Sequence, residues 1–161
     1  MEFFKKELWQ EMNMGDITLM EKAEEEWNQN SKQYWEQYRM LENKLPKEIF
    51  EFFKQKDFHD YRLKEYKIIH HKYGEETPVN LHLILTNDEE TWLLEYGSIK
   101  KMKIDFETEE LQGDYQRGFD DFGYQEFLEV DENIISHEIL FASGAQVLIH
   151  FQKYSIRISQ I

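Results

Sequence analysis

The chain has 161 residues, no cysteine, and 33 acidic against 19 basic residues, for a formal net charge of −14. Its length suits one domain with one sizeable core, and the lack of cysteine excludes disulfides, thiolate metal sites and thiol catalysis. The charge disfavours nucleic acid and anionic membranes as partners and attracts basic proteins.

Apolar residues make up 40% of the chain and aromatic residues 16%, enough to fill a core with rings and to exclude wholesale disorder. No stretch approaches the ~18 apolar residues of a membrane span, and Met1 to Glu7 carries charges where a signal peptide is apolar. A cytoplasmic protein, neither exported by that route nor membrane-spanning, is expected.

In chain order, Phe4, Leu8 and Met12 share one face of a short helix over Phe3 to Met12, which Gly15 ends. Asp16 is placed to cap a long helix running to about Asn43, with Met20, Ala23, Trp27, Tyr34, Tyr38 and Leu41 at helical spacing. An aromatic stripe of that period predicts core packing before ligand stacking. Pro46 opens a third helix, to about Gln55, carrying Ile49, Phe50 and Phe53.

From about Leu63 the period becomes that of strands. Candidates run over Tyr66 to His71, Leu81 to Leu85, Trp92 to Tyr96, Met102 to Phe106, Tyr124 to Val130, Ile134 to Phe141, Gln146 to Phe151 and Tyr154 to Ile158. Short turns at Gly97-Ser98, Asp131 to Asn133 and Ser143-Gly144 imply antiparallel pairing. The expected fold is α+β: N-terminal helices packed on a mostly antiparallel sheet of about six or seven strands. It forms a single domain over 1–161, mainly helical over 1–62 and mainly strand over 63–161, with a shared core.

Charge is concentrated. Between Asp105 and Glu132 eleven acidic residues face the single basic Arg117, with Phe106, Tyr115, Phe119, Phe122, Tyr124 and Phe127 interleaved. Rings that anchor and carboxylates that steer can form a recognition surface. Asp114, Phe119, Asp120, Asp121, Phe122, Glu129 and Asp131 are its candidate partner-binding residues. The competing reading is a solvated segment whose rings turn into the core.

The most specific local feature is Phe58-His59-Asp60-Tyr61-Arg62, between the third helix and the first strand. A histidine beside an aspartate on a turn could be a polarised base; the alternative is that Asp60 satisfies turn amides. His59 and Asp60 are therefore the candidate functional pair. No histidine lies in a spaced metal motif, no calcium loop is present, and neither a GxSxG serine nor a phosphate-binding loop appears, so no metal, cofactor or catalytic residue is assigned.

The helix with Tyr34-Trp35 and Tyr38, then Leu45-Pro46, then Phe58-His59-Asp60-Tyr61-Arg62-Leu63 before a strand meander, resembles a family of uncharacterised proteins from Gram-positive bacteria. Phe3-Phe4-Lys5-Lys6-Glu7-Leu8-Trp9 and His137-Glu138-Ile139-Leu140-Phe141 extend the similarity over most of the chain. The resemblance implies a domain of unknown function and carries over no catalytic residue.

The function expected first is a non-enzymatic protein-interaction or immunity-like module that engages a basic protein partner through the acidic-aromatic segment. The alternatives are a metal- or His/Asp-dependent enzyme and a small-ligand-binding homodimer. The sequence leaves the oligomeric state open.

Overall fold

The computed structural model describes residues 1–107 and 118–161. Among them are three helices, α1 (Lys6–Asn13), α2 (Ile17–Arg39) and α3 (Lys47–Gln55). Eight strands follow: β1 (Arg62–His70), β2 (Val79–Thr86), β3 (Thr91–Tyr96), β4 (Ile99–Asp105), β5 (Phe122–Glu129), β6 (Ile134–Phe141), β7 (Gln146–Gln152) and β8 (Ile156–Gln160). The chain is α+β, as its periodicity predicts.

The strands form two antiparallel sheets of four, ordered β1-β2-β3-β8 and β4-β7-β6-β5, rather than one sheet of six or seven. The split falls at Gly97-Ser98, where Ser98 adopts φ +51° and the chain leaves β3 for the other sheet. β4 then pairs with β7, and β8 returns to β3. Alternation along a strand shows which face is buried but not which edge is paired.

Asp16 caps α2 by accepting from the Thr18 and Leu19 amides at 3.0 and 3.1 Å. The buried face of the helix is Ala23, Trp27, Tyr34 and Tyr38. In α3, Ile49, Phe50 and Phe53 are buried. Phe53 reaches Phe127 of β5 at 5.0 Å between ring centroids, and Phe52 reaches Trp92 of β3 at 5.1 Å. Helices and both sheets thus contribute to one apolar cluster. Each ring buried there stabilises the fold by roughly 1.5–3 kcal/mol.

α1 begins at Lys6 rather than Phe3, and the chain before it is tied to β5 by a carboxylate. The buried Glu126 carboxylate accepts from the backbone N–H groups of Glu2, Phe3 and Phe4. Among the described residues β5 is an edge strand, and its Phe127 amide donates to the Tyr34 hydroxyl at 3.2 Å, so α2 covers part of an edge that would otherwise recruit another strand.

Candidate functional site

The segment joining α3 to β1 is built by alternation between buried rings and exposed acids. Phe58 is fully buried and Tyr61 nearly so, leaving Asp57, His59 and Asp60 at the surface. Asp57 Oδ1 accepts from the His59 amide at 3.3 Å, and Tyr61 N–H donates to the Phe58 carbonyl at 2.9 Å, closing the turn. Asp60 sits at φ +68°, a left-handed position that a short polar side chain tolerates better than most.

The turn is docked against the start of β5. Asp60 N–H donates to the Phe122 carbonyl at 3.2 Å, and Phe122 N–H donates to the Tyr61 carbonyl at 2.6 Å. An isolated bridge joins Arg62 to Asp121. The His59–Asp60 pair and the segment Phe119 to Phe122, sixty residues apart in sequence, are therefore neighbours.

His59 Nδ1 lies 3.0 Å from Asp60 Oδ1, and its ring stands edge-on to Tyr124 at 5.9 Å. Arg62 pairs with Asp88 at 2.7 Å and lies 4.0 Å from Asp121. Lys56, the other cation on this turn, is committed to Glu90 at 2.7 Å. Glu90 also accepts from Tyr61 Oη and Trp92 Nε1, and Lys56, Trp92 and Tyr61 together hold its carboxyl at a pKa of about 2. Among the described residues, the exposed acids of the turn thus keep an excess over nearby free cations.

Beside them opens a cavity of about 80 Å3 lined by Phe4, Tyr34, Trp35, Phe53, Asp57, Phe122, Gly123, Tyr124 and Gln125. It is too small for a whole metabolite and fits the end of one side chain. Gly123 shapes its wall: a Cβ there would meet the Leu140 carbonyl oxygen at 2.9 Å. Burial, reinforced by the charge of Asp57, raises the Tyr124 phenol pKa.

Behind the cavity runs a buried polar chain. His137 Nε2 lies 2.8 Å from Gln125 Oε1, and Tyr96 Oη lies 2.6 Å from His137 Nδ1. Because the carbonyl oxygen of Gln125 can only accept, Nε2 carries the proton and Nδ1 accepts from the tyrosine. The imidazole is fully buried against Phe127, with ring centroids 3.9 Å apart, and burial lowers its pKa to about 3.

The other predicted residues fall in three places. Phe119 stacks on Phe106 at 4.6 Å and is half-buried, with Asp120 and Asp121 following it beside the turn. Phe122 is 1% exposed and packs on Phe58 and Phe141, so its ring belongs to the core and not to a recognition surface. Glu129 and Asp131 lie at the far end of β5, about 23 Å from Phe122 at ~3.3 Å per residue. There Glu129 pairs with Lys44, and Asp131 Oδ1 accepts from the Asn133 and Ile134 amides. Asp114 lies outside the described residues.

Sequence reasoning missed Asp57, Gly123, Tyr124 and Gln125 as a group. The available signal was Trp35, an aromatic residue off the buried stripe of α2 and 38% exposed. Among the described residues no three His, Asp or Glu side chains are grouped to hold a metal ion. Comparison with protein-family models, curated proteins and solved structures gives no match, so the reading of this site rests on its own chemistry.

Proposed function

We propose that the protein is a non-enzymatic interaction module for a basic protein partner, and that its contact surface is the turn 57–61 together with 119–121. The observation that carries this reading is the ring-lined cavity opening beside Asp57 and the exposed His59–Asp60 pair. Rings face a cation favourably through their quadrupole, and a carboxylate at the mouth adds Coulomb attraction. A lysine or arginine of the partner can place its apolar stem against Trp35 and Tyr124 and its charge near Asp57. The −14 charge of the chain speeds encounter with such a partner.

Immobilised protein exposed to extract of the native host at about 0.05 and about 0.5 M NaCl, with captured proteins identified by mass spectrometry, tests this reading. A basic protein retained at low salt and lost at high salt is expected. Asp57→Asn, Asp60→Asn, Asp120→Asn and Asp121→Asn together should abolish its capture, whereas Glu129→Gln with Asp131→Asn should leave it intact. Capture that survives the first set, or that both sets abolish alike, contradicts the assignment.

A further inference from the structure

A second concave site lies away from that turn, on the outer face of the β1-β2-β3-β8 sheet. Leu81, Leu83 and Leu85 point into the core, so Asn80, His82 and Ile84 of β2 point outward. Register then aligns four titratable side chains across the sheet: Lys67 opposite His82, His82 opposite Glu95, and Glu95 opposite Arg157. A groove of about 350 Å3, lined by Asn80, His82, Glu95, Tyr154, Ser155 and Arg157 among others, lies along this row. That volume is within the range of small-molecule sites.

The groups in the row are not equally engaged. His82 Nε2 lies 3.3 Å from Glu95 Oε1, which orients the ring and leaves Nδ1 for another contact. Arg157 is exposed and, among the described residues, has no ion-pair partner, although Glu95 is directly opposite it. Tyr154 forms part of the wall at φ +61°, a conformation costly for a bulky side chain, with its hydroxyl donating to the Asn43 carbonyl.

We propose that this groove binds a small hydroxycarboxylic acid, with Arg157 as the anchor for the carboxylate and His82 Nδ1 as the partner for the hydroxyl. The guanidinium fork matches a carboxylate in two parallel hydrogen bonds. A phosphate dianion meets twice the repulsion from Glu95 but also twice the attraction of Lys67 and Arg157, so charge does not choose between the two, and the hydroxyl contact at His82 Nδ1 is what favours the hydroxycarboxylate. The net charge of the chain does not decide the matter locally, because salt screens exposed charges beyond about 8–10 Å. Lys67 and Arg157 outnumber Glu95 in the row itself.

The test is a titration of histidine-labelled protein with lactate, and separately with inorganic phosphate, followed through the ring resonances by NMR at fixed pH and ionic strength. A saturable shift of the His82 signal by lactate is expected, with a Kd on the order of 1 mM. It should weaken by about tenfold in Arg157→Gln. The surface variant Lys22→Gln, on α2, should behave as the parent. No saturable shift, equal affinity in Arg157→Gln, or phosphate binding as tightly as lactate overturns the proposal. Arg157 is exposed, and an unchanged spectrum elsewhere in the variant shows that it remains folded.

Discussion

His137 connects the two sheets through one hydrogen bond to Tyr96 of β3 and another to Gln125 of β5, and burial holds it neutral. Its folded pKa of about 3 lies below the ~6.5 of an unfolded histidine, so the unfolded chain takes up the extra proton first. Its contribution is fully present above pH 6.5 and is lost progressively as pH falls from there toward 3. By pH 5 the loss relative to pH 7 is about 2 kcal/mol. Glu126 works in the opposite sense, since burial raises its pKa and protonation then favours the folded state. Urea unfolding at pH 7 and 5 should therefore show the parent losing more stability on acidification than His137→Gln, with the difference near that figure. Parallel pH profiles for the two proteins would remove His137 from the account. Gly123→Ala, in the cavity wall, should cost about 1–3 kcal/mol because the new methyl meets a backbone oxygen that cannot move aside.

At the level of elements, the segment before α1 depends on Glu126, whose two oxygens serve three backbone amides in a buried site. A glutamine keeps one acceptor oxygen and places an NH2 group among donors. Glu126→Gln should lower stability by about 1–3 kcal/mol, and hydrogen exchange at the Phe3 and Phe4 amides should speed up more than at core amides. An unchanged exchange rate at Phe3 and Phe4 would show that the carboxylate does not hold the segment. This element also marks where the sequence is silent. The helix over Ile17–Arg39, its Asp16 cap and the buried Trp27, Tyr34 and Tyr38 follow from period and capping chemistry. Glu126, by contrast, reads as one more acid in an acidic tract, because its partners are backbone groups more than 120 residues away. The last strand shows the same limit: alternation predicts a start at Tyr154, but that residue takes a left-handed turn and β8 begins at Ile156. His59 and Asp60 were legible as a local pair. Their junction with Phe122 was not, since it depends on how two sheets close upon each other.

For the whole molecule, a charge of −14 stabilises nothing in the fold by itself; self-repulsion opposes compactness. Exposed ion pairs such as Arg62–Asp88 offset little of that, because solvent and salt screen them. The acids of the turn should therefore be a cost to stability that the proposed binding role explains. Asparagine is the informative replacement at Asp57 and Asp60. Its Oδ1 can still accept from the His59 amide, and asparagine tolerates the left-handed backbone at position 60. In low salt, Asp57→Asn and Asp60→Asn should each leave Tm unchanged or raise it by about 1 °C, and added NaCl should raise the parent's Tm and narrow the gap. The same variants should each weaken capture of the basic partner, which the fourfold replacement abolishes. A drop in Tm for both, at low salt, would mean that these carboxylates hold the turn together, and the separation between a stabilising core and a surface kept acidic for binding would fail.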